Sequence, residues 1–374
     1  MNRIRQYTQV FIFIILGLVV LGLIGVVLWY LRDIMTYLIA AAVIALIGRP
    51  ILRLLGKVKI RNRSLPAGLN AGITLGIIYG FGLGLFLLFI PPLVKQTEKL
   101  ENVQMEAISH SLEAPIAAID KFTQTYQLID NGMSVEEYFI SKVKTVLTSA
   151  RISNIANSLV GFTGDLLIGF FAVSFIAFFF LKQRTLMHWM VMVFIPPDYK
   201  EKVNDILVSI KTLLTRYFIG VVVEVLLVGA LITLGLTILG VENAVLIGFF
   251  GGIFNVIPYL GPLIGGVMGV GMTILGSLNL DFYDEMVPLI IGVTIVFSVV
   301  QMVDNFIIQP MIYSNSVKAH PLEIFLVILL AGNLAGVVGM IVAIPVYTIL
   351  RVIAKEFFNQ FELVRTITKD MGEI

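Results

Sequence analysis

Apolar residues in this chain run in long blocks, and short basic or acidic segments separate them. A helix needs about 20 apolar residues, at 1.5 Å each, to cross a hydrocarbon core of about 30 Å. Such blocks lie at 8–31, 65–93, 152–181 and 217–239, with a shorter one at 34–48. Two further apolar regions, 243–280 and 286–352, are too long for one span each and carry internal breaks. The pattern predicts an all-α polytopic membrane protein with about six full transmembrane helices and two re-entrant helical hairpins, eight membrane segments in all.

Composition agrees. Of 374 residues, 58% are hydrophobic and 13% charged, against about 25% charged in a soluble domain. With a mean hydropathy of +0.97, the surface must be solvated largely by a lipid bilayer. The net charge of +2 gives no reason to expect nucleic acid. There is no cysteine, which excludes disulfides, thiolate metal sites and a cysteine nucleophile. The first block follows Arg3 and Arg5 as a signal peptide would, but it runs uncharged from Gln6 to Leu31. That is too long for a signal core, so it is read as a retained first span.

Basic residues orient the spans, because short cytoplasmic loops collect Lys and Arg. Arg49, Arg53, Lys57, Lys59, Arg61 and Arg63 form a loop without a single acid. That loop and the N-terminus are expected inside, as are Lys182 with Arg184 and the C-terminus after Arg351 and Lys355. Segment 94–151, with eight acidic and six basic residues, is then outside. Its apolar positions Leu100, Val103, Ile108, Leu112, Ile116, Ile119 and Phe122 recur at helical spacing. After the turn Asp130-Asn131-Gly132, Ser134 and Glu137 make a capping box for a second helix. A packing or oligomerisation role is expected there rather than substrate binding. Residues 199–214 place Tyr199, Val203, Ile206, Ile210 and Leu213 on one face, and are expected to lie on the inner membrane surface. The organisation is therefore 1–93, N-terminal spans; 94–151, extracytoplasmic; 152–216, fourth span and amphipathic helix; 217–352, broken-helix core; 353–374, cytoplasmic tail.

Residues 243–280 hold no charged side chain and as one helix would measure about 57 Å. Pro258-Tyr259-Leu260-Gly261-Pro262 breaks them near the middle. A hairpin entering from outside fits, and the acidic loop Asp281, Asp284, Glu285 agrees with an outer exit. Residues 286–308 then cross inward to Gln309-Pro310, and 321–351 form two arms around Gly332-Asn333-Leu334-Ala335-Gly336, entering from the cytoplasm. Span plus hairpin thus occurs twice with opposite sidedness. At an offset of 75, Leu260-Gly261 faces Ala335-Gly336 and Thr273-Ile274-Leu275 faces Thr348-Ile349-Leu350. Inverted repeats of broken helices are the usual build of secondary transporters.

At these residues the chain resembles the autoinducer-2 exporter (AI-2E) family. The motifs are Ile257-Pro258-Tyr259-Leu260-Gly261-Pro262, Gln301 with Asp304-Asn305 and Gln309-Pro310, His320-Pro321, Gly332, Gly336, Gly339 and Ala343-Ile344-Pro345. Two positions depart from the family pattern: Val221 follows Gly220 where members often carry Gln, and Val303-Asp304-Asn305 stands where Glu-Gly-Asn is common. The resemblance implies a bacterial inner-membrane secondary transporter that exports autoinducer-2 or a similar small polar metabolite. An exchanger of sodium for protons is the other activity it implies.

An ionisable group inside a membrane costs about 2.5 kcal/mol or more unless it faces a cavity or a partner. Glu224, about two turns into the fifth span, and Asp304, near the inner end of its span, are therefore the candidates for a coupling proton or cation. The plainer reading of each is a carboxyl hydrogen-bonded to a neighbouring helix. Broken backbone is tolerated in lipid only where it is buried or lines a cavity. Pro258, Tyr259, Gly261 and Pro262, with Asn255 nearby, are placed on the translocation path, as are Asn305, Gln309 and Pro310, and at the second tip Gly332, Asn333 and Gly336. Gly248, Gly251 and Gly252 are at spacings that suit close helix packing. His110, His188 and His320 are not read as ligands, and no metal or cofactor is expected.

The chain lacks His-Glu-x-x-His, Gly-x-Ser-x-Gly and a Gly-x-x-x-x-Gly-Lys-Ser/Thr loop. A membrane-embedded hydrolase and ATP-driven transport in cis are thereby disfavoured. The expected partners are lipid, a small molecule or ion as substrate, and further copies of the chain in a homo-oligomer, since the first four spans carry no transport chemistry of their own.

Overall fold

Helix dominates wherever the chain is described. The structure, a computed structural model, describes residues 31–57, 59–60, 63–102, 163–183, 185–277, 280–313 and 320–358, with scattered positions between 15 and 30. The expected first span and most of segment 94–151, with its capping box, lie outside the described residues.

The described residues up to Ile78 and those within 163–191 belong to one compact unit. Helix α1 (Arg32–Leu55) has 24 residues, so the short apolar block at 34–48 is extended at both ends into a helix long enough to span. The basic loop after it holds a two-residue hairpin, β1 (Lys59–Ile60) paired with β2 (Arg63–Ser64). Helix α2 (Ala67–Asn102) begins in this unit and runs on past Pro91 and Pro92, where the hydrophobic block alone would end it. Helix α3 (Thr163–Lys182) packs against α1, and the short α4 (Leu186–Met192) follows at 93°. Gly48 of α1 sits against Thr74 and Leu181, which lets the three helices close on one another.

The second unit comprises the described residues within 79–102 and 192–358. Its axis is α5 (Lys200–Ile238), one unbroken helix of 39 residues. The amphipathic stretch expected at 199–214 is thus continuous with the fifth span, with no break between them. Residues 200–219 contain neither Gly nor Pro, so nothing ends the helix between the amphipathic and the apolar stretch. The buried positions Tyr217, Gly220, Glu224, Val228, Ile232 and Leu236 form one stripe along it.

Two short apolar helices, α6 (Ala244–Phe254) and α7 (Leu260–Gly276), make the first hairpin. Eleven residues of α6 extend only about 17 Å, roughly half a bilayer core. Its arms pair symmetrically about Pro258, with Gly251 beside Gly265 and Ile247 beside Gly269. After a π-helical turn at Phe282–Met286, α8 (Val287–Val303) continues through a second π-turn, Asp304–Ile308, into α9 (Gln309–Tyr313). The helix thus passes the Gln-Pro pair expected to end it. Pro310 has no N–H and its ring crowds the preceding turn, and a widened turn just before it relieves that crowding.

The last element, α10 (Pro321–Phe358), has 38 residues but is not one span. Ala335 (φ −139°, ψ 20°) and Gly336 (φ 59°, ψ −144°) break it. Ile328 packs with Ala343 and Ile344, and Gly332 lies against Met340. All these pairs are centred on the Ala335–Gly336 break, so the arms fold back as a second hairpin. The break is confined to two residues, narrower than the five-residue tip expected.

The hairpins run in opposite directions along α5. Gly248 lies against Gly229 and, nearer the first tip, Asn255 against Glu224. In the second, Val352 packs with Ile206 and, nearer the tip, Ile344 with Tyr217. Among the described residues, the helices and the two hairpins form the all-α polytopic membrane fold expected.

Candidate functional site

The site begins with glycine packing. A Cβ on Gly248 would collide with Thr233, and one on Gly252 would lie 2.5 Å from the Val225 carbonyl oxygen. Without side chains at these positions the backbone of α6 rests directly on α5. One turn beyond Gly252, Asn255 ends α6 beside Glu224.

The chain then turns sharply. Leu260 N–H donates to the Pro258 carbonyl at 2.8 Å, closing a γ-turn centred on Tyr259 at φ 67°, ψ −50°. Positive φ at the centre of a γ-turn is the strained form. Such backbone persists where its surroundings hold it, and it clusters at functional sites. Gly261 follows because a Cβ there would strike the Phe254 carbonyl. Pro262 fits the first turn of α7, where its missing N–H leaves no bond unmade.

Across the hairpin tip, the Asn255 Nδ2 amide donates to Glu224 Oε1 at 3.2 Å and to Asp304 Oδ2 at 3.1 Å. Gln309 Nε2 donates to the same Asp304 oxygen at 2.8 Å. The π-turn brings this about, since one extra residue per turn carries Gln309 back over Asp304. Asp304 is fully buried and its Oδ1 makes no hydrogen bond among the described residues. Glu224 and Asn255 are each 5% exposed. Three polar groups from α5, α6 and the α8 π-turn are thus held together in an apolar interior, where each is stable only through its partners.

A cavity of about 550 Å³ opens beside them. Of the residues singled out in the sequence, Glu224, Asn255, Pro258, Tyr259, Pro262, Asn305, Gln309 and Pro310 line it. Asp304 lies behind Asn255 and Gln309, and Gly261 is buried in the turn. Gly332, Asn333 and Gly336 do not line it. They sit at the tip of the second hairpin, whose contribution comes instead from Ile324 and Ile344 in its arms. The first tip meets those arms directly, with the Tyr259 and Phe325 rings edge to face at 5.7 Å. Two polar lining residues were not among the candidates: Tyr217, seven positions before Glu224 and so on the same helix face, and Gln301, whose amide donates to Asn305 Oδ1 at 3.0 Å. Helical spacing from the chosen residues was the signal for both. Among the described residues no group of acids and histidines is placed to hold a metal ion.

Comparison with known proteins points the same way. The chain is 27% identical over 256 residues to "Putative transport protein YueF" of Bacillus subtilis, covering 67% of this chain and 66% of that one. It is 27% identical over 307 residues to the similarly named YrrI of the same organism, covering 80% and 81%. With MJ1177 of Methanocaldococcus jannaschii, also named for transport, it shares 23% over 337 residues, covering 90% and 92%. The model of the AI-2E family transporter matches residues 10–359. Multiple apolar helices, two opposed hairpins and a match over nearly the whole chain lead to one conclusion: this membrane protein belongs to the AI-2E transporter family.

Proposed function

We propose that this protein is a secondary transporter that exports a small polar metabolite or signal, autoinducer-2-like, at the expense of an ion gradient across the bacterial inner membrane. The observation that carries this reading is the buried Glu224–Asn255–Asp304 set beside a cavity of about 550 Å³. That volume suits a small metabolite. The polar set supplies titratable groups next to it, and the opposed hairpins supply two elements that can open towards opposite faces. Glu224 and Asp304 take the coupling proton or cation, and the cargo sits against Asn255, Asn305 and Gln309. The two span-and-hairpin units act as an inverted repeat. In keeping with that, Thr273 and Thr348, equivalent at an offset of 75, are both buried and both donate to the carbonyl one turn back, at 2.8 Å. The basic loop around β1 and both termini face the cytoplasm, and the chain works as a homo-oligomer.

A second reading, sodium–proton exchange without an organic cargo, is favoured by the two carboxylates sharing one amide. Purified protein in liposomes separates the two. Imposed proton and sodium gradients should drive accumulation of a small neutral metabolite against its own gradient. Sodium–proton exchange in the absence of any solute would establish the second reading. Flux that is only downhill and indifferent to both gradients would mean a channel.

A further inference from the structure

A second cavity, of about 560 Å³, adjoins the first. The two share Pro262, Leu263, Gln301 and Asn305 as a common wall. The second follows α7 as far as Val270 and faces α8 along Thr294, Ser298, Gln301 and Asn305. These four are spaced by four, three and four residues, which on a helix makes one polar stripe about 16 Å long. The Thr294 and Ser298 hydroxyls donate to the carbonyls one turn back, at 2.9 and 2.8 Å, which satisfies their protons within the helix and leaves oxygen lone pairs to accept from a visitor. The neighbours beside them on α8, Ile295 and Val299, are exposed apolar residues, and Thr294 and Ser298 are exposed on the single chain as well. A polar stripe in a membrane helix faces protein or a water-filled space rather than lipid.

The charge of the lining is one-sided. Among the described residues no lysine, arginine or histidine lines either cavity, and the single carboxylate that does so is Glu224. An anion entering this apolar space would give up its hydration with no cation to replace it. A neutral solute with hydroxyl groups would exchange water for the amides and hydroxyls of the stripe.

We infer that the two cavities are consecutive stations on one path, which passes neutral hydroxylated solutes along the α8 stripe and rejects anions such as phosphorylated or carboxylated metabolites. This deepens the transporter reading and rests on it. The test needs neither cargo nor gradient, so its outcome is separate from that of the liposome experiment. The chain has no cysteine, so Ser298→Cys, Thr294→Cys and Val299→Cys each present one thiol. Each is reacted in membranes with two thiosulfonates of similar size, one bearing a neutral hydroxyethyl group and one a sulfonate, with rates normalised to a free thiol in solution. The neutral reagent should modify Ser298→Cys and Thr294→Cys about tenfold faster than the sulfonate does, since only the anion pays uncompensated desolvation. Val299→Cys should react slowly with both. If Ser298→Cys and Thr294→Cys react no faster than Val299→Cys, there is no path along the stripe. Equal rates for the two reagents at the stripe would overturn the exclusion of anions.

Discussion

Tyr347 donates its phenolic proton to the Glu323 carboxylate at 2.5 Å, across 24 residues of what is nominally a single helix. In a straight helix the two would be about 36 Å apart. Their bond fastens the second hairpin towards its open end, while Ala335 and Gly336 form its tip. The arms lining the cavity through Ile324 and Ile344 are held between these two points.

Tyr347→Phe removes that donor and little else. A hydrogen bond to a charged group contributes about 1.5–3 kcal/mol, so both arms of the second hairpin should exchange amide hydrogens faster, with α6 and α7 unchanged. Hydrogen exchange with mass detection reads this directly. Identical protection of 321–358 in the two proteins would show that the bond does not hold the arms.

Asn255→Leu leaves Glu224 and Asp304 without the amide that serves both. Losing a buried hydrogen bond at each carboxyl costs about 1–3 kcal/mol, so the midpoint of thermal unfolding in detergent should fall by several degrees. Adding Glu224→Gln supplies a new amide and should recover part of the loss, because residues in one hydrogen-bonded network are not additive. Strictly additive effects of the two substitutions would argue against the network.

Glu224→Gln and Asp304→Asn keep shape while abolishing titration. At normal membrane levels, at least one of them should uncouple transport, so that flux no longer responds to an imposed proton or sodium gradient. Unchanged pH and sodium dependence in both single variants and in the double variant would remove these carboxylates from the mechanism.

Glycines on the α5–α6 contact should tolerate substitution least. Gly248→Ala drives a methyl group into Thr233 and to 2.7 Å from the Gly229 carbonyl oxygen, an overpacking expected to cost about 1–3 kcal/mol. Gly336→Ala meets no neighbour but must hold φ 59°, at a cost of about 1–3 kcal/mol in backbone strain. Gly271→Ala, with open space and a helical backbone, should be neutral or stabilising. Comparing the three by thermal unfolding checks the packing, and equal stability of Gly248→Ala and Gly271→Ala would refute it.

By itself, the sequence determined the class of the protein and the positions of its breaks. Span lengths, the acid-free stretch from Arg49 to Arg63, and Pro258 to Pro262 are local features, and the physics that reads them is local too: hydrophobic length, and backbone angles that Pro and Gly permit. The family was legible for the same reason, since its motifs sit at those breaks. Glu224 and Asp304 stood out because a carboxyl in an apolar block is costly wherever it goes. What only the tertiary structure decided was who meets whom. Asn255 is 31 residues from Glu224 and 49 from Asp304, and no periodicity links the three. Their meeting depends on Gly229, Gly248 and Gly252 letting two backbones touch, and on a π-turn that returns Gln309 to Asp304. The second tip stayed away from the cavity because the opposed hairpins lie side by side along α5, so that Tyr259 reaches Phe325 in an arm and not Gly336 at the tip. Hydrophobic pattern names the faces that must be buried, but it is indifferent to which apolar face buries which, and shape at the contacts makes that choice.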